Sequence, residues 1–139
     1  MLANVDKVKA LIPQKEPFVM VDELLQYTEE NLRSRFKVNP ANLFVENNFF
    51  VESGIIEHMA QSVALHTGYQ FFLLNKDAPT GYIGSIKNVE IIQLPKIGQS
   101  IESNIEIIQE FNGVTLVEIE VFCEGKIIAK SQMKTVLAS

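Results

Sequence analysis

The segment that most constrains this chain is residues 54–75, GIIEHMAQSVALHTGYQFFLLN, where apolar side chains cover most of a helix's circumference instead of one stripe. Such a helix has to be buried on most sides, so the remaining elements must be arranged to cover it. Ala60, Ala64 and Gly68 recur four apart and read as a face of small residues that lets a sheet come close. Glu57, His58, Gln61, Ser62 and His66 read as the opposite stripe.

The covering elements read as strands. Before the helix, FVMVDELLQY and the alternating LRSRFKV are joined by four polar residues, 28–31, and pair as neighbours. After Pro79 come GYIGSIKNVEII, QSIESNIEIIQEF, TLVEIEVFCE and KIIAKSQMKTVL. Asn112-Gly113 is the strongest tight-turn signal, because both positions tolerate positive φ, and Glu124-Gly125 is a weaker one. These turns make the last three strands antiparallel neighbours, and residues 94–98 form the preceding corner. At the start, Asn4 can cap a short helix carrying Val5, Val8, Leu11 and Ile12, which Pro13 ends. Residues 42–53 have no regular pattern, yet they carry Leu43, Phe44, Phe49, Phe50 and Val51 and are expected to pack over something.

One antiparallel sheet of about six strands can cover so apolar a helix only by curling round it, since a flat sheet leaves half the circumference wet. The fold class is therefore α+β, a hot-dog fold, with residues 1–139 reading as one domain. The sheet's edges invite pairing, so a dimer is the natural completion. A net charge of −5 without any run of Lys or Arg argues against nucleic acid. The single Cys123 excludes an internal disulfide and a CxxC site. No signal-peptide core and no run of roughly 18 apolar residues is present, so the chain reads as cytoplasmic, without a membrane span.

Three blocks carry a family resemblance. LIPQKEPFVMVDELL resembles the opening of the bacterial 3-hydroxyacyl-(acyl carrier protein) dehydratases, a Leu-Ile-Pro-His-Arg segment leading through Pro-Phe into a strand ending in Val-Asp. Their central-helix signature Glu-x-Met-Ala-Gln stands here as Glu57, His58, Met59, Ala60 and Gln61. GYIGSIKNVEIIQLPKIGQSI resembles their third block and keeps Pro95 and Gly98 of its Pro-x-x-Gly-Asp corner, with Gln99 in the aspartate place. The Ala-Leu-His-Thr-Gly continuation is similar to a divergent branch working beside aryl polyene pigment synthesis. Two departures stand out. The Gly-His-Phe-Pro loop that supplies the family's catalytic histidine, from the protomer opposite the glutamate, is absent; its nearest counterpart is Asn47-Asn48-Phe49-Phe50. The histidine of the opening motif is replaced by Gln14.

Dehydrating a 3-hydroxyacyl thioester removes a weakly acidic proton beside the carbonyl and protonates a poor leaving group, which calls for an acid/base pair. Glu57 is the catalytic candidate, although a carboxylate in the first turn of a helix also simply suits the helix dipole. Backbone N–H groups at the helix start, on Ser53, Gly54 and Ile55, are placed to polarise the thioester oxygen. Gln61, one turn after Glu57, can hold the carboxylate or a loop carbonyl. Asn48 and Phe49 are candidates for the substrate side. As an amide Asn48 cannot transfer a proton at neutral pH, and the aromatics Phe49, Phe50, Phe71 and Phe72 either line an acyl tunnel or fill core. His58 lies about 100° round the helix from Glu57 and is read as a packing residue. His66 is too far from it for chelation, so neither metal nor cofactor is implied.

The resemblance implies an acyl thioester on acyl carrier protein or coenzyme A as substrate, in fatty acid or polyene-type biosynthesis. It also implies an active site shared across a homodimer or heterodimer. A chain with the glutamate and without the histidine is expected to need a His-bearing hot-dog partner and to do little alone. A hot-dog thioesterase and a non-catalytic acyl-binding or scaffolding subunit are the alternatives left open by the residues.

Overall fold

The computed structural model describes residues 1–138. Helix α1 (Val5–Leu11) begins at Asn4, whose side chain accepts the Lys7 N–H at 3.1 Å, and gives way to extended backbone at Ile12. Strands β1 (Glu23–Tyr27) and β2 (Asn31–Lys37) follow, then the short β3 (Val45–Glu46) and β4 (Phe49–Phe50), the long helix α2 (Glu52–Leu73), and β5 (Gly81–Ile91), β6 (Ser100–Phe111), β7 (Val114–Cys123) and β8 (Lys126–Leu137). Six of the strands form one antiparallel sheet in the order β1-β2-β6-β7-β8-β5, with α2 against it. This is the hot-dog arrangement that the burial argument required.

The two signalled turns form as expected, with consecutive positive φ of 52° and 76° at Asn112 and Gly113, and of 52° and 78° at Glu124 and Gly125. Alternation sets which side chains reach the helix. Leu32, Ser34 and Phe36 of β2, Ile101, Ser103 and Ile105 of β6, and Val117, Ile119 and Val121 of β7 all point inward and are buried. With Met20, Phe50, Ile55, Met59 and Leu65 they form one core, in which each fully buried large side chain contributes about 1.5–3 kcal/mol.

Four expectations are corrected. Helix α2 starts at Glu52 rather than Gly54 and ends at Leu73, because Leu74 and Asn75 turn their N–H groups back to Phe71 and Phe72. The first strand begins at Glu23 rather than Phe18, since Phe18 and Met20 bond side chains of α2 instead of a neighbouring strand. Residues 42–53 contain a hairpin, β3–β4, turning through Asn47 and Asn48 at positive φ; Phe50 from it is fully buried. The fourth correction concerns the faces of α2. At about 100° per residue, Glu57, Ala60, Ala64 and Gly68 share one face, and His58, Ser62 and His66 lie on another. It is α1 that approaches the small residues: a Cβ on Gly68 would sit 2.0 Å from the Leu11 carbonyl oxygen. The sheet meets the histidine face instead.

The two edges of the sheet differ. Along β1, Leu2 N–H donates to the Leu24 carbonyl at 2.8 Å and Leu24 N–H to the Ala3 carbonyl at 3.0 Å, so the N-terminal residues cover it. At the other end no strand among the described residues pairs beyond β5, and Tyr82, Ile83, Ile86, Val89 and the adjacent Ile92 are exposed, Tyr82 by 60% and Ile92 by 62%.

Candidate active site

Glu57 projects from the second turn of α2 and is half-buried. Its Oε2 accepts a hydrogen bond from Gln61 Nε2 at 2.8 Å, the pairing that one helical turn permits. Gln61 is itself fully buried and fixed from outside the helix. Its Nε2 also donates to the Phe18 carbonyl at 2.7 Å, and its Oε1 accepts the Met20 N–H at 2.6 Å. Both donors of the amide and its oxygen are thus bonded to protein, and Gln61 fixes the orientation of the Glu57 carboxylate. The Pro-Phe-Val-Met of the opening block and the Glu-x-Met-Ala-Gln of the helix prove to be two halves of one hydrogen-bonded unit.

His58 does the opposite. It is fully buried, with Nδ1 2.6 Å from the Met20 carbonyl oxygen and Nε2 2.7 Å from Ser103 Oγ on β6. Burial pulls its pKa down to about 4, against the weaker pull of the Met20 carbonyl. Ser62 donates to the His58 carbonyl and pairs with Ser34 Oγ of β2 at 2.8 Å. His66 reaches the Thr28 carbonyl at 2.9 Å, and burial lowers its pKa as well. Both histidines of the chain are therefore engaged in structure, neutral at pH 7, and turned toward the sheet.

At the helix start the expected set of residues changes. Gly54 and Ile55 both give their N–H groups to the Val51 carbonyl, at 2.9 and 3.2 Å, so the amides at the helix start without a partner among the described residues are those of Glu52 and Ser53. Ser53 is exposed and keeps its place; Ile55 is fully buried in the core. The space above Gly54 is filled by protein. A Cβ there would lie 2.6 Å from the Phe50 ring and 2.8 Å from Phe44 Cβ, so glycine admits these side chains rather than a ligand. Asn48 stands exposed at the hairpin turn, where its carbonyl accepts the Ile97 N–H at 3.0 Å, and Phe49 bridges Lys96. These contacts tie the loop in the place of Gly-His-Phe-Pro to the third block. Within that block Gln99, in the aspartate place, accepts the Lys96 N–H at 2.8 Å and so closes the corner.

On the Glu57 side of α2, Ala60 and Ala64 form part of the wall of a groove of about 350 Å³. Val63, Thr67, the stretch from Leu11 to Gln14 and residues Pro79, Tyr82 and Ile83 complete much of its lining. Phe71 and Phe72 are not in that lining. Glu57 itself is outside that lining; it stands one turn before Ala60 on the same helix face, held at a fixed angle by Gln61, with the Glu52 and Ser53 amides about a turn further toward the helix start. Sequence reasoning missed Ser34, Ser103 and Ser131, which form the polar seam under the helix, Ser131 donating to Met59 Sδ at 3.2 Å. Their only signal was a serine at an inward position of an alternating strand. Among the described residues, no three His, Cys, Asp or Glu side chains group to hold a metal ion, and no helix is long and apolar enough to cross a membrane.

A sheet curled round one helix, with a carboxylate near the helix start, defines a hot-dog protein with a candidate acid/base residue. Residues 6–138 match the family model of ApeP-like proteins, described as ApeP dehydratase. The chain belongs to this family of ApeP-like dehydratases. It is 24% identical to the 3-hydroxyacyl-[acyl-carrier-protein] dehydratase FabZ of Wolinella succinogenes, over 99% of this chain and 97% of that protein. The Aliivibrio fischeri FabZ is 26% identical, over 89% and 90%. Among solved structures, the dehydratase heterocomplex ApeI:P from Xenorhabdus doucetiae contains a chain that superposes with a TM-score of 0.88 at 14% identity, covering 95% of this chain and 91% of that one. These findings agree with the resemblance carried by the three sequence blocks.

Proposed function

We propose that this chain is the carboxylate-bearing subunit of a 3-hydroxyacyl thioester dehydratase, acting on acyl groups carried by acyl carrier protein or coenzyme A in the cytoplasm. The observation that carries the reading is the division of α2. Glu57 is held by Gln61 on one face, while His58 is bonded through both ring nitrogens and His66 through one on the sheet face. In the reaction one member of an acid/base pair takes the proton from C2 and the other gives a proton to the departing C3 hydroxyl. Water leaves, and the C2–C3 double bond forms. Glu57 is one member. Both histidines of this chain are turned toward the sheet, away from Glu57, so a His-bearing hot-dog subunit supplies the second.

The exposed edge of β5 supports such pairing: it is a strand of 11 residues at the end of the sheet with five large apolar side chains exposed on it or just beyond it. The Xenorhabdus doucetiae structure, a dehydratase heterocomplex, fits the same arrangement. The amides of Glu52 and Ser53 are the donors for the thioester oxygen.

The test is turnover of a 3-hydroxyacyl thioester by the chain purified with its partner, followed by absorbance of the conjugated enoyl product. Glu57→Gln is expected to lower turnover about 1,000-fold while leaving the melting temperature unchanged. Full activity in that variant would sink the assignment. Release of free thiol without enoyl product would mark the protein as a thioesterase instead.

A further inference from the structure

Among the described residues, two buried side-chain polar atoms lack a hydrogen-bond partner, Gln14 Oε1 and Arg33 Nε. The Arg33 guanidinium is engaged elsewhere, by Glu102 and by the face of the Phe122 ring. Gln14 has no such engagement. It belongs to the wall of the 350 Å³ groove, among Ile12, Pro13, Ala60 and Ala64. The contrast with Gln61 is direct, since that amide makes three bonds of 2.6–2.8 Å. Gln14 is half-buried, but its Oε1 is shut off from water, and a buried carbonyl oxygen left unbonded is costly and uncommon. Nothing in the fold holds this amide, its terminal torsion is soft, and it can present either an acceptor or a donor.

Its level along the groove follows from two anchors. The chain after α1 runs antiparallel to α2, with the Leu11 carbonyl against Gly68 and the Phe18 carbonyl on Gln61. Gln14 lies between them at the level of Ala64, roughly 10 Å along the helix axis from Glu57. We propose that Gln14 is a specificity-determining residue. Its amide hydrogen-bonds a polar group on the acyl chain roughly 10 Å from the reacting carbons, so the groove selects chains carrying a hydroxyl or carbonyl there over plain alkyl chains. This rests on the dehydratase reading for the identity of the groove's occupant.

The test is calorimetric binding to the purified complex of two unreactive acyl-pantetheine thioethers, both spanning about 10 Å from sulfur to tip, one ending in methyl and one in hydroxyl. The hydroxyl-ended probe is expected to bind about tenfold more tightly. Gln14→Leu is expected to erase that preference at an unchanged or higher melting temperature, because it removes an unbonded polar atom. Equal binding of the two probes, binding of neither, or an unchanged preference in Gln14→Leu would overturn the proposal. Since the probes cannot react, a complex that binds them selectively but forms no enoyl product would refute the dehydratase reading and leave the role of Gln14 standing.

Discussion

Two faces of α2 carry polar side chains about 100° apart, and the fold treats them in opposite ways. On the sheet face, His58, Ser62 and His66 find partners in Ser103, Ser34 and the Thr28 carbonyl, and His58 and Ser62 are wholly shut off from water. On the groove face, Glu57 is half-buried and bonded through one oxygen by an amide that is itself pinned from behind. The polar groups of the sheet face, bonded to protein, hold the helix to the sheet. Glu57 keeps an oxygen without a bond to protein among the described residues, which is why the proposed chemistry is assigned to it. Met20 links the two faces, its N–H serving Gln61 and its carbonyl serving His58.

Substitutions can break this contrast from either side. The largest effect on stability is expected from His58→Ala, which empties a buried site and orphans the Met20 carbonyl and the Ser103 hydroxyl, for a loss of about 5 kcal/mol in chemical denaturation. If the loss is under about 1 kcal/mol, the sheet face is not the structural one.

Acidity tests the same residue without cutting it. Burial holds the folded pKa of His58 at about 4, from an ordinary 6.5. Between those values the unfolded chain binds a proton that the folded chain refuses, so stability rises with pH across this window and is lost as pH falls through it. The shift corresponds to about 3 kcal/mol, fully present above pH 6.5. Denaturation at pH 7 and pH 4.5 should show this loss in the wild type and lack it in His58→Gln; equal slopes in the two would contradict the assignment.

On the other face, Gln61→Leu removes the clamp on Glu57 and leaves the Met20 N–H unpaired, with an expected loss of about 2 kcal/mol and turnover lowered about 100-fold. Gln61→Glu sharpens the point. It sets a second carboxyl beside Glu57 and should move the pH profile of turnover, which a purely structural role would not do. The smallest effect is expected from Ser34→Ala, about 1 kcal/mol, with Ser34→Ala and Ser62→Ala together costing less than the sum of the two because neither hydroxyl is then stranded.

Much of this was legible in the sequence because it depends on local periodicity and turn chemistry. The long apolar helix, the four C-terminal strands and the turns at Asn112-Gly113 and Glu124-Gly125 all formed where their patterns lay. The Glu57–Gln61 pairing was legible as well, being one helical turn. What was hidden depends on contacts distant in sequence. Nothing local tells that Ser103 waits for His58, 45 residues away, or that Met20 serves two side chains of α2. For the same reason the small-residue face was assigned to the sheet when α1 covers it; periodicity gives the faces of a helix but not what packs on each. The β3–β4 hairpin was hidden because its two-residue strands are too short to show alternation.

The central claim is that this chain brings the carboxylate of a dehydratase and lacks its second acid/base group. The most direct measurement compares enoyl formation from a 3-hydroxyacyl thioester by the chain alone, by a His-bearing hot-dog subunit alone, and by the two copurified as one complex. The account predicts activity in the complex and little or none from this chain by itself. Robust dehydration by the isolated chain would contradict it, and would mean that a group within this sequence completes the pair with Glu57.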